Sequence, residues 1–352
     1  MTDRSPESGA QHDRASADGP RATDLCVAIC THNRPAQLRR ALTALLAQTL
    51  PPAEILVVDN APVDDATRAL IQRQFATVRY VCEPIPGLDF ARNRALTGTS
   101  CGIVAFIDDD AVAAPDWVAA IAAMFREHPH MAVCTGKVTA LSLETEGQRL
   151  FEANGGFDRG DTRICLPGDT RRRLYGLRAP LIAWVISSGF GCSLAVRRQT
   201  LLDLGGFDEA LDMGAALPGG GEHDIIWRAL NAGYEVIYEP TVQIRHEHRR
   251  EVEATVQQIC GHNRALIVML TKFLASARGM RRLSVLIFLL WRLIKPVVRL
   301  MRRVFGRDPL PVSVLLRLTV AGWGSLGSYR IARNLARQRI AAAAQTSVRP
   351  AR

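Results

Sequence analysis

The sequence predicts an α/β protein: an open sheet with helices on both faces, followed by a helical extension. Two patterns carry that expectation. From Leu25 onward, short apolar runs alternate with stretches of helical periodicity, and strands separated by one helix each imply right-handed crossovers and a mostly parallel sheet. Polar residues also gather just behind those strands, where ligands bind in such sheets. In order, Leu25–Cys30 is expected as a strand, Ala36–Gln48 as a helix, Glu54–Val58 as a strand and Asp65–Phe75 as a helix. Val78–Cys82 is the third strand, a helix lies near Leu88–Leu96, Ile103–Ile107 is the fourth strand, and a helix runs from Pro115 to Phe125.

Residues 141–180 are less regular, with Gly155-Gly156, Gly160 and Pro167-Gly168, and read as a loop-rich excursion over the site. Its run Arg171-Arg172-Arg173 faces either a polyphosphate or solvent. Residues 189–196 read as a strand, Arg198–Leu204 as a short helix and Gly205-Gly206 as its end. Pro218-Gly219-Gly220-Gly221 is expected as a flexible loop leading through Glu222-His223-Asp224 into a helix over Ile225–Ala232, which Gly233 stops.

Composition narrows the class. Of the 352 residues 48% are hydrophobic, enough for a sizeable packed core and too many for a disordered or fibrous chain. The formal charge of +10 is unevenly spread: residues 254–352 hold 18 Lys/Arg and one acid, Asp308, which leaves the first 253 residues at −7. The eight cysteines include no C-x-x-C pair and are expected as reduced, small hydrophobes of a cytoplasmic enzyme. Residues 1–23 are polar, lack the apolar core of a signal peptide and are expected as a disordered leader.

The most informative motif is Asp108-Asp109-Asp110, which closes an apolar strand. Carboxylates stacked there repel unless a cation neutralises them. Alternation puts Asp108 and Asp110 on one side and Asp109 on the other, and two hard oxygen donors together suit Mg2+ or Mn2+. A solvated acidic turn is the plain alternative; the apolar strand before it and the matching parts elsewhere favour the metal.

Taken together, Ile29-Cys30-Thr31-His32-Asn33-Arg34-Pro35, Val57-Val58-Asp59-Asn60, Gly87-Leu88-Asp89-Phe90-Ala91-Arg92-Asn93, Phe106–Asp110, Gly205–Glu209 and Gly221-Glu222-His223-Asp224 with Trp227-Arg228 carry a resemblance. Over about residues 25–250 the chain resembles the inverting family 2 glycosyltransferases, a group that includes bacterial cell-surface glycan enzymes. The resemblance implies the GT-A fold, a Rossmann-like mixed sheet flanked by helices, over 24–253. It also implies a nucleotide-sugar donor contacted by Thr31, Asn33, Arg34 and Asp59, with Arg92 and Asn93 lining the donor pocket. Asp108 and Asp109 would serve the donor, and Asp110 with Asp108 and His246 the metal. For the base, the related pattern Glu-Asp-x-Asp is replaced here by Glu222-His223-Asp224. Aligning on Asp224 and Arg228 drops Glu222 into the slot of the base, with Asp224 as the fallback and an ordinary N-terminal helix acid as its other role. His223 either tunes the base or is a plain loop residue; His246 and His248 fall on one side of an extended segment.

The tail over 254–352 is expected as a basic, amphipathic helical region. Arg292, Lys295, Arg299 and Arg302 recur every three or four positions opposite apolar residues, a pattern that suits an anionic membrane surface. The uninterrupted apolar stretch is shorter than the roughly 20 residues a spanning helix needs. A second apolar stretch, 310–328, either dips into the bilayer or packs on the first; a soluble hairpin docked on the core is the alternative. These features suit a peripheral protein on the inner face of the cell membrane, and with the resemblance they imply an enzyme moving a sugar to a hydroxyl of a glycan or lipid-linked acceptor. The rivals are a nucleotidyltransferase or sugar-nucleotide hydrolase with the same pocket, and a nucleic-acid binder using the tail. The tail's cations alternate with long aliphatic runs rather than stacking aromatics, which argues for no nucleic acid partner.

Overall fold

The computed structural model describes residues 24–174, 177–212, 217 and 219–347; the leader expected over 1–23 and Pro218 of the glycine loop lie outside the described residues. Strands β1 (Leu25–Thr31), β2 (Glu54–Asn60), β3 (Arg79–Glu83) and β4 (Ile103–Ile107) are joined by α1 (Pro35–Leu46), α2 (Ala66–Gln74) and α3 (Leu88–Gly98). They lie parallel in the order β3-β2-β1-β4. Period two divides β1 between two cores: Leu25, Val27 and Ile29 meet Leu38 and Leu42 of α1, while Cys26 and Ala28 meet Ala91 and Leu96 of α3.

Beyond β4 the sheet stops being parallel. The chain continues through β5 (Ala111–Ala113), α4 (Trp117–Glu127), β6 (Met131–Ala140), α5 (Glu146–Ala153) and β7 (Ile164–Leu166), then a small hairpin of β8 (Arg173–Leu174) and β9 (Leu177–Arg178). It returns through α6 (Leu181–Ser187), β10 (Ser193–Arg197), α7 (Arg198–Asp203), α8 (Gly221–Asn231) and β11 (Glu235–His246). The order runs on as β10-β6-β11-β5, with β7 also on β11, making nine strands. β10 enters antiparallel to both β4 and β6, and β5 and β7 are antiparallel to β11. The sheet is therefore mixed rather than mostly parallel, because hydrophobic periodicity reports a strand and not its direction. β10 also begins at Ser193, later than the expected 189, and α8 begins at Gly221, so Glu222-His223-Asp224 sits inside the helix's first turn.

β11 is bulged where Glu239 pairs with Gly136 but Gln243 with Lys137. Residues 240–242 are the extra residues there, and a Cβ on Gly136 would stand 2.0 Å from the Val242 carbonyl oxygen, so only glycine lets the strands close.

The C-terminal region is α9 (Val252–Ser276), α10 (Gly279–Val304), α11 (Val312–Trp323) and α12 (Ser328–Ser347). Its side chains complete the cores of the sheet: Val256, Ile259 and Leu318 join the face of α1, and Ile267, Phe273, Val285 and Leu293 the face of α3. α10 corrects the reading of its cations. Val285, Leu289, Leu293 and Pro296 pack inward, and Arg292, Lys295 and Arg299 turn with them into the protein's interior cavity instead of toward lipid headgroups. The exposed face carries Ile287, Leu290, Ile294, Met301 and Phe305, and the surface arginines Arg281, Arg282, Arg302 and Arg303 sit at its two ends. The stretch 310–328 packs against α9 and α10 through Val314, Leu315 and Leu318. Among the described residues, no helix is long and apolar enough to cross a membrane.

Candidate functional site

A cavity of about 1970 Å³ opens at the carboxyl ends of β1 and β4 and extends to α8 and the C-terminal helices. Its polar end is set by sheet geometry. β4 ends at Ile107, and β5 pairs antiparallel with β11 so that Ala111 lies opposite His246. That pairing carries His246 to the aspartates: its Nε2 stands 3.1 Å from Asp110 Oδ1 and 3.9 Å from Asp108 Oδ2. Asp109 turns the other way, accepting from Thr31 Oγ1 at 2.7 Å and from Arg34 Nη1 at 3.2 Å. Arg34 also donates to Asp110 at 3.3 Å.

The electrostatics separate the three carboxylates. Desolvation and repulsion by Asp110 push Asp108 up to about 6. Burial would raise Asp110 too, but His246 and Arg34 hold it down to about 2. Asp109 is raised by burial despite Arg34. Asp108, Asp110 and His246 each offer a ligand atom, all within 4.8 Å of one another. His246 Nδ1 is buried without a partner. Two hard carboxylates beside one imidazole fit Mn2+ or Mg2+, and a dication there would relieve the Asp108–Asp110 repulsion.

At the end of β1, Thr31, His32 and Arg34 line the cavity with Asn60 of β2. Asp59 is fully buried just behind, accepting from Tyr80 Oη at 3.0 Å and leaving Oδ1 unpartnered. Asn33 sits at the exposed rim in the left-handed region, φ 56°, where its Oδ1 accepts from the Val63 amide at 3.1 Å and ties the two loops together. Its observed role is that of a turn former.

Around Glu222 the first turn of α8 meets α3. Burial would raise Glu222, but His223, whose Nδ1 lies 3.4 Å from Oε1, and Arg92 hold its carboxyl below the ordinary value, so it stays ionised. Arg92 bonds Asp89 Oδ1 at 3.0 Å and Asp212 Oδ2 at 3.2 Å, so three carboxylates surround one guanidinium. Burial and the charge of Glu222 push Asp212 up to about 7 even beside Arg92. The close fit requires glycine at 221, where a Cβ would lie 2.1 Å from Asp89 Oδ2.

Besides Asn33 and Asp59, which do not line the cavity, two more expected site residues are placed elsewhere. Asp224 does not line the cavity; it is fully buried and ion-paired with Arg228 at 2.8 Å and Lys272 at 2.6 Å. Asn93, expected in the donor pocket, faces the loop after α7: it donates to the Phe207 carbonyl at 3.0 Å and accepts from the Phe207 amide at 2.8 Å. Asp224 points away from Glu222 across its helix and Asn93 to the side of Arg92, which motif membership alone does not reveal. The arginine run 171–173 is also outside the cavity lining, with Arg172 paired to Asp169 at 3.1 Å. The lining instead includes residues the sequence reading did not select: Asp212, His262 and Arg159, the last stacked 4.3 Å from the Phe190 ring centroid. Asp212 follows an unremarkable Glu-Ala-Leu, and only its fold neighbour Arg92 marks it out.

Residues 26–201 match the family model for glycosyl transferase family 2. The chain is 25% identical over 237 residues to the pre-mycofactocin glycosyltransferase of Mycobacterium tuberculosis, an alignment covering 66% of this chain and 45% of that protein. It is 22% identical over 194 residues to the glucosyl-dolichyl phosphate glucuronosyltransferase of Haloferax volcanii, covering 52% of this chain and 56% of that one. The chain thus spans about half the length of these curated relatives. Among solved structures it is similar to the mannosyltransferase PcManGT from Pyrobaculum calidifontis, in complex with GDP-Man and Mn2+, with a TM-score of 0.53, 20% identity and coverage of 94% and 89%. At that identity the likeness bears on the fold alone, and it is to a glycosyltransferase fold. The family match takes in half of the 352 residues and contains the Thr31 loop, Asp59, Arg92 and the Asp108–Asp110 strand end, and the chain belongs to glycosyl transferase family 2.

Proposed function

We propose that the protein moves a sugar from a nucleotide-diphosphate donor to an acceptor hydroxyl in a single inverting displacement. The observation that carries this reading is the pairing of two sites in one cavity: a three-ligand cation site at Asp108, Asp110 and His246, and an ionised, cavity-facing carboxylate at Glu222. Bound there, Mg2+ or Mn2+ supplies positive charge for the diphosphate leaving group.

Thr31 and Arg34 orient Asp109 and Asp110, and Arg34 adds a cation beside the leaving group. His32 and Asn60 offer the polar contacts for base and ribose at the cavity wall, with Asp59 buried behind them. As the acceptor oxygen attacks the anomeric carbon, its proton passes to a carboxylate oxygen of Glu222, and the bond from the anomeric carbon to the phosphate oxygen breaks on the opposite face. Arg92 and His223 keep Glu222 unprotonated until that moment. The exposed apolar face of α10, ended by arginines, supports seating on the inner face of the cell membrane, so the acceptor hydroxyl belongs to a lipid-linked or cell-envelope glycan.

The test is a transfer assay with radiolabelled uridine-, guanosine- and thymidine-diphosphate sugars, Mn2+ and a membrane-lipid extract. The expected result is label in the lipid fraction with the anomeric configuration opposite to the donor's. Donor consumption that proceeds equally without acceptor would indicate a hydrolase and contradict the reading.

A further inference from the structure

The proposed transfer leaves one wall of the cavity without a task. Arg292, Lys295 and Arg299 stand on the inner face of α10 and all line the cavity. Arg299 is neutralised by Asp308, to which its Nε and Nη2 donate at 2.7 and 3.0 Å. The other two are not. Arg292 reaches Asn263 Oδ1 at 3.3 Å and leaves a buried Nε without a partner. Among the described residues neither Arg292 nor Lys295 has an ion-pair partner, and the acid that acts on Lys295, Asp308, is already engaged by Arg299.

Such cations are costly to hold. Burial, together with the neighbouring guanidiniums, depresses Lys295 to about 8, and burial with Arg299 depresses Arg292 to about 10. A half-buried cation without counter-charge is costly unless something outside the protein neutralises it. A neutral sugar cannot. A phosphate can, because guanidinium and ammonium groups both bond its oxygens strongly.

The remainder of this wall names the kind of phosphate. Phe288 and Trp291 of α10 and Leu316 and Val320 of α11 line the same cavity, and Trp291, Leu316 and Val320 are 48%, 49% and 72% exposed. Cations inside and an apolar lip outside match a headgroup joined to a hydrocarbon chain. We propose that this arm binds the phosphate of a lipid-phosphate acceptor, whose chain leaves past Trp291, Leu316 and Val320. The inference rests on the glycosyl-transfer reading for the acceptor's role, and the phosphate serves as the handle that positions the accepting hydroxyl.

The test is calorimetry on the full chain with octyl phosphate, octyl glucoside and inorganic phosphate, and in parallel with the nucleotide sugars and Mn2+. Octyl phosphate is expected to bind at least tenfold tighter than either other probe. Lys295→Met and Arg292→Gln are each expected to weaken it at least tenfold, with nucleotide-sugar binding unmoved. Lys295→Met removes an unpaired cation and is expected to melt no lower than wild type, which separates lost binding from lost folding. Octyl phosphate no tighter than octyl glucoside, or equally tight in both variants, overturns the proposal. Inorganic phosphate binding as tightly as octyl phosphate assigns the arm to a free anion and overturns it as well. Failure of every nucleotide sugar to bind would instead strike the donor reading, leaving the octyl phosphate result to judge this arm.

Discussion

Glu222 and Asp224 lie two positions apart on α8 and meet opposite environments. Glu222 faces the cavity with a lowered affinity for protons, whereas Asp224 is consumed by Arg228 and Lys272. Glu222→Gln is therefore expected to slow transfer by roughly 10²–10⁴-fold with nucleotide-sugar binding retained. Asp224→Asn is expected instead to lower the melting temperature, because it strands the Arg228 guanidinium and leaves Lys272 with Asp208 alone; equal loss of rate in the two variants, at equal stability, would contradict the assignment. Asp212 yields a pH prediction. Its folded carboxyl titrates at about 7, above the ordinary value of 3.8, so between those values the folded state holds a proton that the unfolded chain has released. Its own contribution to stability is expected to be fullest below about pH 4 and to fall as pH rises to about 7, and the difference in stability between wild type and Asp212→Asn in denaturant titrations is expected to follow that slope. At this scale the sequence was readable for groups whose role is local: the alternation of Asp108, Asp109 and Asp110 follows from strand geometry alone. Asp212 and Arg159 were not readable, because each acquires meaning only from a neighbour distant in the chain.

Elements show the same division. The first four strands and three helices were legible to within a few residues, since β1, β2 and β4 are unbroken apolar runs and α1 carries its apolar residues on one stripe. The parallel run of those four strands was legible too, and the resemblance implied a mixed sheet; periodicity did not disclose where β10 enters antiparallel, nor the 12-residue β11, whose Pro240 and charged residues interrupt the pattern at the bulge. The loop after α7 is an element held from outside: Asn93 binds both the amide and the carbonyl of Phe207, and Arg228 donates to the carbonyls of Leu204 and Gly206, each at 2.6 Å. Asn93→Ala is expected to cost about 1–3 kcal/mol by leaving those groups unpaired. Thermal unfolding measures it, and an unchanged melting temperature with weakened nucleotide-sugar binding would return Asn93 to the donor pocket. α10 was half legible. Its spacing disclosed an amphipathic helix, but which side faces the protein depended on α9 and the cavity.

For the whole molecule, that orientation puts an apolar strip outside and a cationic wall inside. Flotation with anionic liposomes is expected for the wild type and is expected to be lost in Ile287→Glu with Ile294→Glu, two residues that are 58% and 47% exposed, while donor binding persists. Flotation unaffected by the pair would remove the outer face of α10 from membrane contact. Under the proposed function the charge asymmetry visible in the sequence acquires a physical sense: the acidic part would grip a cation and a donor, and the basic extension would close over the acceptor. What the proposed reaction depends on is a divalent ion that Asp108, Asp110 and His246 would hold. The most direct test is calorimetry of nucleotide-diphosphate sugars against wild type and Asp110→Ala, each with and without Mn2+. The account predicts that a donor binds the wild type, that Mn2+ tightens it, and that Asp110→Ala abolishes the Mn2+ effect. Binding that ignores both the ion and the substitution, or no binding by any nucleotide sugar, would contradict it.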